Sequence, residues 1–144
     1  MYNFWTQAKL TPNAMNGTIV QDVANDQLTA GIPVIYKFVC PDGATGDVDF
    51  VLAAGMGPIT IIDAWALKTG GAGGGVNTVQ VQTGAAAAVT SAMDLNLGDA
   101  FIGRTTTIDD ATRRFAAGDT LRLHRVRAAG HAGADVFILA MRTA

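Results

Sequence analysis

Short runs of alternating apolar and polar side chains, ended by glycine, proline or aspartate, fill the chain from Ile32 onward. Because successive side chains of a β-strand point to opposite faces, this alternation predicts strands rather than helices. In the run 33–40, one face carries Val34, Tyr36, Phe38 and Cys40, and the other carries Ile35, Lys37 and Val39. The chain is therefore predicted to be built from strands and turns.

The same pattern predicts further strands at 47–52, 59–68, 76–83, 95–97, 101–102, 120–126 and 136–141. Residues 33–53 are interpreted as a hairpin with its loop around 42–46. The run 136–141 is apolar on both faces, which predicts a strand central in a sheet or covered by another subunit. About eight short strands with glycine-rich connections fit an all-β, jelly-roll-like β-sandwich, with an immunoglobulin-like sandwich as the alternative.

Two positions interrupt the alternation. In the run 59–68, Asp63 falls on the face predicted to be buried, so it marks a bulge or caps a loop at the sheet end; the other members of that face are Ile59, Ile61, Trp65 and Leu67. In the run 120–126, Val126 is expected to face the core, but strict alternation along the strand would place it on the outer face. The sequence therefore predicts a bulge or a strand end at Arg125.

One short helix is predicted between Thr107 and Gly118. The residues Thr107-Ile108-Asp109-Asp110 resemble a capping box in which aspartate replaces the usual glutamate or glutamine. The two aspartates would lie at the positive end of the helix dipole, and Arg113 and Arg114 near its negative end. Gly118 would end the helix after little more than two turns.

Composition limits the class of protein. The 144 residues suit one domain, with 1–31 as a partly extended N-terminal arm and 32–144 as the β-sandwich. All twelve acidic residues are aspartate, which favours turns over helix interiors. The net charge of −2 gives no reason to expect a nucleic-acid partner. No signal peptide or membrane-spanning run is evident, so folding in a reducing cytoplasm is expected.

No residue pattern predicts catalysis, a bound metal or a cofactor. The two histidines, His124 and His131, are interpreted as solvated surface residues, and the single cysteine, Cys40, as a buried small hydrophobe. Asp42, Asp47 and Asp49 cluster near glycines, but their spacing differs from a calcium-binding loop and no glutamate closes it. We therefore expect a turn lined with aspartates and a protein that is not an enzyme.

Protein contacts are predicted at three places. Three aromatic side chains lie near the N-terminus, Tyr2, Phe4 and Trp5. Because exposing them to water would be costly, they are expected to dock on this domain or on a neighbouring subunit. The glycine tract 70–75 could order on contact with a partner, and the C-terminal arginines could pair with an acidic neighbour. The predicted contact residues are Tyr2, Phe4, Trp5, Gly73, Arg122, Arg125 and Arg127.

A series of segments resembles small decoration, or cement, proteins of tailed bacteriophage capsids. The segments are Ile61-Ile62-Asp63-Ala64-Trp65-Ala66, Thr78-Val79-Gln80-Val81, Ala92-Met93-Asp94-Leu95, Arg104-Thr105-Thr106-Thr107-Ile108-Asp109-Asp110-Ala111, Ala117-Gly118-Asp119-Thr120-Leu121 and Ala134-Asp135-Val136-Phe137-Ile138-Leu139. They lie within residues 32–144, and their motifs are structural rather than catalytic. The arm 1–31 shares no such resemblance.

This resemblance implies a virion structural protein, made in the host bacterial cytoplasm, that binds the outer capsid surface and stabilises the shell by bridging capsid subunits. Its implied partners are the major capsid protein and further copies of itself, as a dimer or trimer, with no nucleic acid and no membrane.

A carbohydrate- or receptor-binding β-module of a phage tail is the alternative. That alternative requires exposed aromatics, whereas its candidates, Trp65 and Tyr36, are both predicted to lie in the core. A third reading, an enzyme with a cupin-like fold, requires clustered histidines and carboxylates that the sequence does not show.

Overall fold

The computed structural model describes residues 33–41, 43–56, 58–69, 75–96, 102–128 and 133–142. Within these residues the chain is all-β, as the alternation predicts, and contains no helix. Its strands are β1 Pro33–Cys40, β2 Gly46–Val51, β3 Ile59–Lys68, β4 Asn77–Thr83, β5 Met93–Asp94, β6 Ile102–Arg104, β7 Arg114–Phe115, β8 Thr120–Arg127 and β9 Ala134–Arg142.

Two sheets make up a β-sandwich. Sheet A has the order β1-β9-β3-β6, with β7 also pairing with β3, and sheet B has the order β2-β8-β4-β5. Every pair whose register is described is antiparallel. The predicted central position of the doubly apolar strand is confirmed, because β9 lies between β1 and β3.

The hairpin predicted over 33–53 is wrong, because β1 and β2 belong to different sheets. β1 pairs with β9 along its whole length, from Pro33 opposite Met141 to Cys40 opposite Ala134. β2 pairs instead with β8. Alternation identifies which face of a strand is buried but carries no information about its neighbour, and both strands pair with segments far away in the chain.

The core lies between the sheets and is mostly aliphatic. Its fully buried side chains include Leu52, Ile59, Ile61, Val79, Val81, Met93, Leu95, Leu121, Leu123, Val136 and Ile138. Burying each such side chain stabilises the fold by roughly 1.5–3 kcal/mol. Near one edge the sheets touch through backbone alone: a Cβ on Gly103 of β6 would lie 2.6 Å from the carbonyl oxygen of Asp94 in β5.

The predicted helix is also wrong. Ile108 forms an isolated bridge with Thr90, and a turn follows in which the Thr112 N–H donates to the Asp109 carbonyl at 3.1 Å. The next residues form β7, where Phe115 is buried and lies opposite Ile59. A helix of two turns is only marginally stable by itself, so burial of Phe115 and pairing with β3 outweigh the local helix signals.

The strands form one compact unit that spans Pro33–Met141. The predicted arm, 1–31, lies outside the described residues. Among the described residues there is no helix with the length and apolar character needed to cross a membrane.

Candidate interaction surface

Apolar side chains cover the outer surface of sheet A, which we call face A: the side chains of β1, β3, β6 and β9 that point away from the core. The five exposed aliphatic members range from 38% exposed for Leu67 to 59% for Ile35. The exposed members are Ile35, Val39, Ile62, Leu67 and Ile102, and the half-buried ones include Trp65, Phe137, Leu139 and Met141. Soluble monomers rarely expose contiguous apolar patches above a few hundred Å².

Trp65 lies on face A rather than in the core, contrary to the prediction. Ile59 and Ile61 are buried, but after the predicted interruption at Asp63 the alternation of β3 resumes in the opposite phase. Ala64 is therefore buried, its N–H donating to Asp63 Oδ1 at 2.8 Å, and Trp65 turns outward with Leu67. The Trp65 indole stacks on the Phe137 ring, with centroids 5.7 Å apart and planes at 13°.

The charged side chains of β1, β3, β6 and β9 on face A are compensated within the face, and the exposed Arg114 of β7 lies at its edge, opposite Thr60. Lys37 Nζ lies 3.0 Å from Asp135 Oδ2, and Arg104 is ion-paired with Asp63. The Arg104 guanidinium also lies over the Trp65 ring, 5.5 Å from its centroid, where the π-system attracts a cation. Face A thus carries few charges among its apolar side chains, and its two ion pairs leave no charge on these strands that needs a charged partner opposite it.

The outer surface of sheet B, which we call face B, is charged. Arg122 forms two hydrogen bonds with Asp49: Nε donates to Oδ1 at 2.7 Å and Nη2 to Oδ2 at 2.9 Å. Arg122 Nη1 also lies 3.4 Å from Asp47 Oδ2, and Asp47 Oδ1 lies 2.7 Å from His124 Nδ1. The cross-strand register produces this network, because Asp49 lies opposite Arg122 and Asp47 opposite His124.

The Arg122 hydrogen bonds hold the pKa of Asp49 below its ordinary value of 3.8, although partial burial opposes the shift. The same bonds raise the pKa of Arg122. Both groups are therefore charged throughout the neutral range. Such a ladder of exposed ion pairs is stable in water and is costly to strip of solvent.

Glutamines continue face B on β4. Gln82 Nε2 donates to Gln80 Oε1 at 2.7 Å, and Gln80 Nε2 donates to the Thr90 carbonyl at 2.9 Å. The Thr90 hydroxyl accepts the Val81 N–H at 3.1 Å, so the segment 88–90 lies along the strand. Polar side chains thus extend across β2, β8 and β4.

The predicted bulge at Arg125 is wrong, because the register between β4 and β8 is uninterrupted from Thr83–Leu121 to Asn77–Arg127. Val126 therefore points outward and Arg127 is 7% exposed. Hydrogen bonds make this burial tolerable: Arg127 Nη1 donates to the Pro41 carbonyl at 3.0 Å, and the Thr45 hydroxyl bonds to both the N–H and the carbonyl of Arg127. The arginine attaches the segment after β1 to sheet B.

The described residues that were considered for chemistry have structural partners, whereas Asp42 lies outside the described part of the chain. Cys40 is buried, as predicted, with its sulfur 3.4 Å from Arg127 Nη2. His124 lies on the surface beside Asp47, and His131 lies outside the described residues. Asp47 and Asp49 face basic side chains, and no group of three or more potential metal ligands occurs in the part of the chain that the structure describes.

Only some predicted partner contacts fall in the described part of the chain. Tyr2, Phe4, Trp5 and Gly73 lie outside it. Arg122 lies on face B, and Arg125 donates to the Pro41 carbonyl at 2.7 Å beside the buried Arg127. Partner contact by these arginines stays a prediction; within the chain their guanidinium groups already have partners. Sequence reasoning missed face A, although the apolar character of both faces of β9 signalled it.

No protein-family model, curated protein or solved structure matches the chain. The two outer faces and the order of the strands are therefore the features that bear on its function.

Proposed function

We propose that the chain is a virion structural protein that binds the outer surface of a phage capsid through face A and stabilises the shell by bridging capsid subunits. The observation that carries this proposal is the difference between the two outer faces: one is apolar and balanced in charge, the other a charged network. In this role the protein has no catalytic function. The sequence resemblance to capsid decoration proteins supplies the identity of the partner.

The chemistry of face A favours a flat protein surface as its partner. Its five exposed aliphatic side chains present on the order of 500 Å² of apolar area, at the upper end for a free monomer. Covering this area would contribute favourably at roughly 25 cal/mol per Å², before the costs of association. The ion pairs Lys37–Asp135 and Arg104–Asp63 need no charged partner across the contact.

The strand order supports a jelly roll as the finer description of the sandwich. Without the two-residue β7, four of the six neighbouring pairs are nested in chain order, namely β1–β9, β2–β8, β3–β6 and β4–β5. This nested order results when one long antiparallel hairpin rolls over into two sheets, which is the construction of a jelly roll. Domains of this kind occur in viral capsid proteins. An immunoglobulin-like sandwich does not have this nested order.

Multivalency would supply the strength of binding. A protein that touches two or more shell subunits gains effective concentration from each contact, so weak individual contacts can give tight attachment. Capsid subunits held in this way separate less readily when the shell is under internal pressure. The proposal therefore predicts an effect on shell stability as well as binding.

Co-sedimentation with purified expanded capsids tests the proposal. The unmodified protein should sediment with the shells and raise the temperature at which they rupture. The Ile62→Asp/Leu67→Asp double variant places two carboxylates on face A and should weaken binding by 100-fold or more. Val51→Asp/Val126→Asp places the same charges on exposed valines of sheet B and should bind like the unmodified protein.

Two results would contradict the proposal. One is unmodified protein that stays in the supernatant and leaves shell rupture unchanged. The other is equal weakening of binding by the sheet A and sheet B variants, which would show that face A has no special part. Circular dichroism of both variants distinguishes lost binding from lost folding.

A carbohydrate-binding module is the second candidate, and the outward position of Trp65 favours it. The indole and the Phe137 ring offer an aromatic surface on which a sugar ring could stack. Specific hits on a glycan array that disappear in Trp65→Ala and persist in the Ile62→Asp/Leu67→Asp variant would favour this function over capsid binding. An array without hits would count against it.

A further inference from the structure

We infer that the free edge of β1 pairs with β1 of a second copy of this chain, in antiparallel orientation and centred on Lys37, so that sheet A continues across a two-fold axis. This self-association does not depend on capsid binding. It uses the edge of sheet A and leaves face A available to another partner.

Within the described part of the chain, the outer edge of β1 is long and open. β1 pairs with β9 on one side only, and among the described residues nothing pairs with its other side. Its register with β9 runs through all eight residues without a bulge. Unpaired N–H and C=O groups along such an edge are a template for another strand.

The other sheet edges are protected. β5, β6 and β7 contain only two or three residues each, and shortness is a common way to block edge pairing. β2 is shorter than β1, with six residues against eight, and carries two charged side chains, Asp47 and Asp49, where β1 carries one. On β1 the only charged side chain is Lys37, and its ammonium is paired with Asp135 of the neighbouring strand.

The sequence of β1 indicates that the partner strand is β1 of a second copy, because the same kinds of side chain follow one another when the strand is read in either direction. Residues 33–41 read Pro-Val-Ile-Tyr-Lys-Phe-Val-Cys-Pro. Antiparallel pairing centred on Lys37 places like beside like: Ile35 faces Val39 of the other copy, Tyr36 faces Phe38, and Val34 faces Cys40. Aliphatic and aromatic cross-strand pairs stabilise a sheet, and a two-fold contact closes on itself instead of growing into a fibre.

Charge also permits this pairing. The two Lys37 ammonium groups would meet at the axis, where like charges alone would repel. Each ammonium, however, lies 3.0 Å from an Asp135 carboxylate of its own copy. The central group of two lysines and two aspartates is thus neutral, and exposed Ile35 and Val39 extend the apolar surface on either side of it.

Light scattering after size exclusion tests the association. The unmodified chain should have twice the mass of the 14.9 kDa monomer at micromolar concentrations. Val39→Lys should weaken the dimer at least tenfold, because it adds uncompensated positive charges near the axis. Val51→Lys is the matched control, since Val51 is 68% exposed on the other long edge strand, β2, and this variant should remain dimeric.

Cysteine cross-linking in a Cys40→Ala background tests the register. Lys37→Cys would bring the two thiols directly opposite each other, with Cα atoms about 4.5–5.5 Å apart, within the range of a disulfide. Ile35→Cys would place its thiols four residues out of register, about 14 Å apart. Oxidation should therefore link Lys37→Cys into a covalent dimer and leave Ile35→Cys monomeric.

A monomeric mass for the unmodified chain would overturn the inference, as would equal cross-linking of the two cysteine variants. A monomer that still binds capsids would overturn only this inference. A dimer that fails to bind them would overturn only the proposed function.

Discussion

The two outer faces of the sandwich are built from the same kind of strand but have opposite chemistry. On face B, most outward residues are polar, with Val51 and Val126 as exposed apolar exceptions, and the register joins Asp47, Asp49, Arg122 and His124 into one network. On face A, alternate residues are aliphatic or aromatic, and the charges are restricted to two internal pairs. The difference teaches that similar strands can present one outer surface that is mainly apolar and another that is mainly polar; under the proposed function, the apolar surface is the one that is covered.

The largest expected effect on stability comes from a variant that would push the two sheets apart. In Gly103→Ala the new methyl group would press on the Asp94 backbone, so we expect a loss of about 1–3 kcal/mol in the free energy of unfolding. Urea denaturation measures this loss.

Gly46→Ala is its matched control, because a Cβ on Gly46 in β2 meets nothing within 4 Å. This control should be neutral or slightly stabilising. Equal midpoints for the two alanine variants would show that the sheets do not approach as closely as described.

An intermediate effect on stability is expected at the aromatic pair of face A. Trp65→Ala removes the stack on Phe137 and the contact with Arg104, and it should lower the free energy of unfolding by about 1 kcal/mol. Trp65→Phe keeps an aromatic ring in place and should recover most of this loss. If both variants were as stable as the unmodified protein, the aromatic pair would make no measurable contribution to the stability of the fold.

The smallest effect tests face B through its pH dependence. Because the pKa of Asp49 is lower in the folded state than the ordinary 3.8, its bonds with Arg122 stabilise the fold above that pH, and this contribution disappears as the pH falls through the lowered pKa. Asp49→Asn should therefore be less stable than the unmodified protein at pH 7 and indistinguishable from it in strong acid.

Thermal melts from pH 7 to pH 2, at low and high salt, measure this difference, which salt should reduce. Asp110→Asn is the control, since the carboxylate of Asp110 is 85% exposed beside Arg113. A pH-independent gap between Asp49→Asn and the unmodified protein would contradict the electrostatic origin of the network.

Alternation predicted the all-β class, the division of β1 into two faces and the interruption at Asp63. It placed Trp65 and Leu67 in the core because it assumed a constant phase along β3, whereas the phase reverses after the interruption. Local signals also favoured a helix at Thr107–Gly118, where pairing with β3 and burial of Phe115 produce β7 instead. The sequence indicated face A only through β9, because its apolar residues on both faces predicted a strand that is central in a sheet or covered by another subunit.

The sequence by itself determined that the chain alternates, turns often and buries one side of each strand, because period-two patterning and turn residues act within a few neighbours. Tertiary structure alone decided which strands pair, that β1 and β2 lie in different sheets, and that Arg127 is inside while Trp65 is outside. These outcomes depend on contacts between residues tens of positions apart. The free energy of such contacts exists only once the two sheets have packed together.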